Sequence, residues 1–402
     1  MIEVENIVGV LKGAGVDFFV GVPDSLLKSF CAYVTDNCAE NHVIAANEGG
    51  AVGLAAGHYL ATGRPALVYM QNSGQGNAVN PLCSLADPDV YSIPMVLLVG
   101  WRGEPGVKDE PQHVKQGKVT IPLFETLGIP TEILPDDDAS AADVTRKMIT
   151  RAKAESRPVA LVVRKGLFAE YRLHSKKSDI SELRREDAIQ AILECVGSEA
   201  VVVSTTGMIS REVYEIRERL GQDHSKDFLT VGSMGHALMI ALGIARKCNE
   251  KNFNRYVVCL DGDGSSIMQM GNMAIAGAAR QGNLMHFVLN NSAHDSVGGQ
   301  PTVGGQISLS KIAEACGYYV ADTFEGSSVA ALKEMLRERI DQAIYSWACD
   351  DPDAVQTTFF EIKVAKGARR DLGRPKEPPQ VNKALFMRKL EAKGSHFGDC
   401  AQ

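Results

Sequence analysis

A chain of 402 residues exceeds one ordinary domain of ~150 residues and predicts two or three. With 45% hydrophobic and 23% charged residues it can bury large cores, and its net charge of −7 excludes a general nucleic-acid binder, which is normally basic. No apolar run reaches the ~18 residues of a membrane span, and the nine cysteines form neither a CxxC pair nor a Cys/His cluster, which points to a reducing compartment.

The first residues, MIEVENIVGVLKGAGVDFFVGVP, carry early acids and read as helix, glycine turn and strand, not as a secretory leader. A cytoplasmic protein without membrane or nucleic-acid partners is therefore expected. After the strand DFFVGVP comes the helical SLLKSFCAYVTDN, and HVIAAN leads into EGGAVGLAAGHYLATG, whose small residues suit close helix packing. PALVYMQN, IPMVLLVGW, RPVALVVRK, EAVVVSTTG, RYVVCLDG and LMHFVLNN read as buried strands. Apolar runs of this length, separated by helices, mark parallel sheets covered on both faces, so the fold class is α/β. Cys259 falls inside one such run, where a thiol acts as a small hydrophobe.

Composition shifts at 169–186, AEYRLHSKKSDISELRRE, which is charged and lacks a strand pattern. The expected organisation is a domain at 1–170, a linker at 171–186, a second domain at 187–365, and a polar tail at 366–402 with a short amphipathic helix. The order helix, strand, glycine-bearing turn, helix, strand occurs around PALVYMQNSGQGNAVNPL and again around RYVVCLDGDGSSIMQMGNM, which suggests an internal duplication.

In the second of these stretches a strand ends in Asp261, Gly262, Asp263 and Gly264 and a helix starts at once. An EF-hand loop beginning at Asp261 would need Gly where Ser266 stands and Glu where Asn272 stands. GxxxxGK[ST] is absent, and GxGxxG is not completed after Gly264. There remains a turn at a helix N-terminus, whose unpaired N–H groups suit phosphate. Gly262 and Gly264 admit close backbone approach, and Ser265 and Ser266 offer hydroxyls. An aspartate there would repel phosphate unless a hard cation such as Mg²⁺ lay between them. The next strand ends in Asn290 and Asn291, and 25 residues separate Gly264 from Asn290, enough for one helix and one strand.

GDG, this interval and NN resemble the cofactor motif of thiamine diphosphate enzymes, and the resemblance runs along nearly the whole chain. It implies two doubly wound parallel-sheet domains, a pyrimidine-binding one and a diphosphate-binding one, without the central domain of larger 2-keto acid decarboxylases. Asp263, the Asn291 side chain and the Ala293 carbonyl would hold Mg²⁺. Thr205, Thr206 and Gly207 of VVVSTTGM, Gly232 and Met234 of VGSMGHA, and Asn72 of MQNSGQG would contact the cofactor. ANEGGAVGLAAGHYL resembles the pyrimidine-domain helix and places Glu48 against the pyrimidine ring, where a carboxyl favours the imino tautomer that generates the thiazolium C2 carbanion.

GVPDSLLKSFCAYVTDN, MQNSGQGNAVNPL, GWRGEPGVKDEPQHVKQGK and NNSAHDSVGGQPT further resemble the two-domain decarboxylases of 3-phosphonopyruvate, and next those of sulfopyruvate. The implied reaction gives phosphonoacetaldehyde and CO2, a step of phosphonate biosynthesis; a non-catalytic thiamine diphosphate-binding protein is the alternative from another class. A dianionic head group needs cations, and Arg102, Lys108, Lys115 and Lys118 lie on or near one Gly- and Pro-rich loop after a strand. Asp24, Ser25, His113, His294 and Asp295 are the expected proton-handling residues, although Asp24 also suits a helix cap. In this family the pyrimidine half of one subunit faces the diphosphate half of another, so self-association with shared sites is expected.

Overall fold

The computed structural model describes residues 1–174, 178–250, 255–348 and 355–391. Residues 175–177 of the expected linker and 392–402 of the expected tail lie outside this set. The chain forms two compact units, Met1–Lys177 with Ser296–Pro301, and Ser178–Asp295 with Thr302–Gln402.

The first unit carries β1 (Phe19–Gly21), β2 (His42–Ile44), β3 (Ala66–Gln71), β4 (Met95–Gly100), β5 (Thr131–Ile133) and β6 (Pro158–Val163). They form one parallel sheet in the order β2-β1-β3-β4-β6-β5. Its helices are α1 (Val4–Gly13), α2 (Lys28–Asn37), α3 (Glu48–Thr62), α4 (Gln75–Pro81), α5 (Pro111–Thr126) and α6 (Asp138–Glu155). The unbroken apolar run of β4 has a physical reason: Val96 and Leu98 enter the core on one face, while Met95, Leu97 and Val99 enter the core on the other. Each such side chain contributes roughly 1.5–3 kcal/mol over an exposed one.

The second unit carries β7 (Val201–Ser204), β8 (Asp227–Leu229), β9 (Val257–Gly262), β10 (Leu284–Asn290), β11 (Tyr319–Phe324) and β12 (Thr358–Lys363). Its sheet is also parallel, with the order β8-β7-β9-β10-β12-β11. Adding six to every strand number of the first sheet gives the second, so the duplication read from the sequence has a topological counterpart. The helices are α7 (Arg185–Val196), α8 (Met208–Arg219), α9 (Ala237–Glu250), α10 (Asp263–Met268), α11 (Gly271–Ala278), α12 (Leu309–Ala315), α13 (Val329–Ala348) and α14 (Pro379–Glu391). Cys259 is fully buried among Val257, Ala276 and Phe359, as a small hydrophobe would be. In both sheets the chain steps from the inner strand to one side and then returns to the other. This opens a crevice at the carboxyl ends of β1 and β3, and of β7 and β9.

Four strands differ from the expectation. β5 and β8 have three residues each, and β11 is a half-exposed edge. β12 is buried but interrupted by Glu361, which hid it. The single helix expected after the glycine–aspartate turn is broken between α10 and α11, where Gln269 packs on Gly235 and Asn272 donates to the Gly235 carbonyl at 2.9 Å. Of the expected linker, Tyr171 bonds to Ser29, Asn37 and Asp36, while Arg185 already opens α7 of the second unit. The tail packs on that unit as well, burying Phe386 and donating from Asn382 to the Asp227 carbonyl at 2.8 Å.

Candidate active site

Strands β1, β2 and β4 of the first sheet each deliver a polar residue just past the carboxyl end. β2 leads to Asn47, which caps α3 by accepting from Gly50 N at 2.8 Å and so fixes Glu48 as its first residue. Glu48 is buried, and Asn77 Nδ2 donates to its Oε2 at 2.7 Å. Gly74 passes so close that any Cβ there would strike the carboxylate. Burial holds the Glu48 carboxyl above its ordinary range, opposed by the Asn77 bond.

β1 leads to Asp24, which is 0% exposed and accepts from Leu26 N at 3.0 Å. Burial raises its carboxyl to about 6, against the Leu26 N–H and the Arg102 charge. β4 leads to Arg102, whose Nε and Nη2 bind the two oxygens of Asp109 at 2.8 and 2.5 Å, while Nη1 donates to Ser25 Oγ at 2.8 Å. That guanidinium holds Asp109 well below the usual carboxylate range. His113, on α5, is buried with Nδ1 unpartnered; desolvation and the Arg102 charge lower it to about 4. Lys108, Lys115 and Lys118 are exposed.

In the second unit, β9 ends in the Asp261–Gly264 turn. Asp263 is 2% exposed, and desolvation raises it to about 6 although Thr302 Oγ1 donates to its Oδ2. Gly304 lies so close that a Cβ would come within 2.5 Å of that oxygen and 2.9 Å of Asn290 Oδ1. Asn291 Nδ2 donates to Asp295 Oδ2 at 2.6 Å, and Asn291 Oδ1 accepts from Ala293 N at 3.0 Å. Ser292, with φ at 57°, turns the loop back between them. Gly207 caps α8 with φ at 97°, a left-handed conformation that favours glycine. Thr205 Oγ1 meets Ser265 Oγ at 2.9 Å, and Ser265 Oγ accepts from Gly235 N at 3.1 Å. Thr206, Gly207, Gly232, Met234, Gly262 and Gly264 are half-buried. His294 packs over Gly264, and desolvation lowers it to about 4.

The models of the N-terminal and C-terminal thiamine pyrophosphate-binding domains of thiamine pyrophosphate enzymes match residues 4–121 and 204–347. The chain is 34% identical to a phosphonopyruvate decarboxylase of Streptomyces hygroscopicus, over 94% of this chain and 92% of that one. It is 33% identical to a phosphonopyruvate decarboxylase of Streptomyces viridochromogenes with the same coverages. The chain belongs to the phosphonopyruvate decarboxylase family of thiamine pyrophosphate enzymes. A sulfopyruvate decarboxylase of Methanosarcina acetivorans is 28% identical, over 83% of this chain and 87% of that one, and so more distant than the phosphonopyruvate enzymes.

The residues fit what this family carries. Asp263 is a buried carboxylate that no Lys, Arg or His pairs with among the described residues. One carboxylate, one amide oxygen and one backbone carbonyl make an all-oxygen donor set of the kind a hard cation takes. A Cβ at Gly262 would meet only Ile209 at 3.7 Å, whereas one at Gly264 would come within 3.0 Å of the His294 ring, so Gly264 makes room for His294.

Several residues with expected roles also make contacts within the protein. Asn72 was expected on the cofactor, but its carboxamide is spent on the scaffold: Nδ2 donates to the Arg102 carbonyl at 2.7 Å and Thr120 Oγ1 at 2.8 Å, and Oδ1 accepts from Arg102 N at 3.2 Å. Ser266 Oγ donates to Asp261 Oδ2 at 3.1 Å and so braces the turn, and the Ser265 hydroxyl ties the turn to Thr205 and Gly235. Asp295 was expected to handle protons, yet its Oδ2 accepts from Arg185, Asn291 and Gly367 N. Asp109, Asn77, Thr302 and Gly304 were missed. Their signals, a carboxylate seven residues after Arg102 and glycines in TVGGQ, have no meaning until the loops close.

Proposed function

We propose that the chain decarboxylates 3-phosphonopyruvate to phosphonoacetaldehyde and CO2 with thiamine diphosphate and Mg²⁺. The observation that carries this reading is likeness to phosphonopyruvate decarboxylases over 94% of the chain, combined with buried acids in both units, Glu48 in the first and Asp263 in the second. The C1–C2 bond breaks, CO2 leaves, and a proton replaces the carboxylate on the carbonyl carbon. Thiamine diphosphate, when bound, supplies the sink for the electron pair left behind.

In this proposal the chain's residues bind, orient and move protons. Asp263, Asn291 Oδ1 and the Ala293 carbonyl would hold Mg²⁺, and the Gly262–Gly264 turn would take the diphosphate. Glu48 would exchange a proton with the pyrimidine ring, for which a carboxyl held above its ordinary range is suited. Asp24 near 6 is poised to give or take a proton at neutral pH, and Ser25 links it to Arg102. Arg102 has five N–H donors and gives three to Asp109 and Ser25, so it can still offer hydrogens to a phosphonate. His113 and His294, both near 4, would be neutral and able to accept a proton.

The same reading includes self-association, for which exposed apolar side chains speak: Leu54 and Leu60 of α3 are 41% and 72% exposed, and Ile275 of α11 is 59% exposed, surface that a second copy would cover. Among the described residues no helix is long and apolar enough to cross a membrane. We place the protein in the cytoplasm on its cysteine pattern, scattered singly along the sequence without CxxC pairs. The deciding variant is Glu48→Gln. Loss of turnover with thiamine diphosphate still bound supports the reading; unchanged turnover overturns Glu48's role.

A further inference from the structure

Arg185 occupies the segment that the sequence marks as a linker, yet its side chain is only 5% exposed. Its Nε and Nη2 grip the two oxygens of Glu212 at 2.9 and 3.0 Å, a bidentate pair. Nη2 also donates to the Gly367 carbonyl at 3.2 Å, and Nη1 donates to Asp295 Oδ2 at 2.8 Å. That same Asp295 oxygen accepts from Gly367 N at 2.9 Å and from Asn291 Nδ2 at 2.6 Å.

This arrangement decides which way the Asn291 amide faces. Asp295 Oδ2 accepts from Arg185 and from Gly367 N, and Asn291 turns Nδ2 toward it, so Oδ1 points the other way, into the loop of Ser292 and Ala293. Arg185 is what holds Asp295 in place. Without it, two carboxylates with side chains 2% and 11% exposed would lose their counter-charge, and an unpaired buried charge is strongly unfavourable. Burial already pulls Glu212 above its ordinary value against the attraction of Arg185.

We infer that Arg185 is a positioning residue for the metal loop, acting through Asp295 to aim Asn291 Oδ1 at the cation. The inference rests on the proposal that Asp263, Asn291 and Ala293 hold Mg²⁺. The start of α7 and the turn at Gly367 then together set the donor geometry of a loop far from either in sequence. A lysine could keep the charge but not the fork, because a single ammonium cannot grip Glu212 with two parallel bonds while reaching Asp295 and Gly367.

The experiment is equilibrium dialysis of thiamine diphosphate against the full-length protein at graded Mg²⁺, with thermal melting of the cofactor-free protein alongside. Arg185→Met is expected to raise the Mg²⁺ needed for half-maximal retention by about 10–100-fold, as loss of a partner that orients a metal ligand typically does. Arg185→Lys is expected to fall between this variant and the wild type, and it decides the matter if Arg185→Met does not fold. A lowered melting temperature with an unchanged Mg²⁺ requirement would mean that Arg185 is structural only, and would overturn the inference. Asp263→Asn serves as the reference. If that variant also leaves the Mg²⁺ requirement unchanged, the metal site itself has been misplaced. If it abolishes Mg²⁺-dependent retention while both Arg185 variants behave as wild type, only the positioning role is lost.

Discussion

Asp24 offers a perturbation whose sign and size follow from the structure. It is 0% exposed, and burial lifts its carboxyl to about 6, whereas an Asp in the unfolded chain titrates near ~3.9. Below that lower value both states carry the proton and the group contributes no penalty. As pH rises from there to about 6 the unfolded chain releases its proton first, so stability falls; above 6 the full penalty is present. With ~1.4 kcal/mol per tenfold change in acidity, ionised Asp24 costs on the order of 2–3 kcal/mol. Asp24→Asn keeps an acceptor for Leu26 N and removes the charge. Urea unfolding of the cofactor-free protein from pH 4 to 8 should show the variant near wild type at pH 4 and more stable by roughly that amount at pH 7.5, while its turnover falls. A stability gap that does not change between pH 4 and 7.5, or a wild type that is the more stable at pH 7.5, would refute the reasoning.

Three further outcomes are expected. Gly74→Ala puts a Cβ into the space of the Glu48 carboxylate, and kcat should drop about 100-fold, as a displacement of ~1 Å can cause; steady-state kinetics with saturating cofactor checks this. Glu48→Gln and Asp263→Asn subunits, each inactive alone, should regain about a quarter of wild-type activity when refolded together as a dimer, because half the dimers are mixed and each holds one intact site. No recovery in verified mixed dimers would contradict shared sites. Addition of EDTA should abolish the stabilisation by thiamine diphosphate, ~2.7 kcal/mol at a hundredfold excess over Kd, and differential scanning calorimetry would register it as a lost rise in melting temperature.

What was legible in the sequence follows from what each signal depends on. The central strands could be read because burial on both faces leaves them mostly apolar: Val96 and Leu98 serve one core, and Leu97 and Val99 the other. β12 escaped because its Glu361 is buried by partners far away in sequence, accepting from Asn290 Nδ2 at 2.8 Å and Ser310 Oγ at 3.0 Å and pairing with Lys363. Glu48 and Asp263 stand at element boundaries with local signatures, a capping asparagine and a glycine turn, so spacing reached them. Asp295 has the chemistry of a proton carrier, and its bond to Arg185, 110 residues earlier, is one that no local pattern announces. Asn72 shows the same limit: a polar residue at a strand end is equally suited to a ligand and to a clamp between two loops, and only Thr120 and Arg102 decide which.

The central claim is tested most directly by CO2 release from 3-phosphonopyruvate by the full-length protein, measured with and without thiamine diphosphate and Mg²⁺ and beside sulfopyruvate under the same conditions. Release that requires both additions, with a higher kcat/KM for 3-phosphonopyruvate, is expected. A clear preference for sulfopyruvate would contradict the substrate assignment, and no release from either acid by protein that binds thiamine diphosphate would contradict the decarboxylase reading itself.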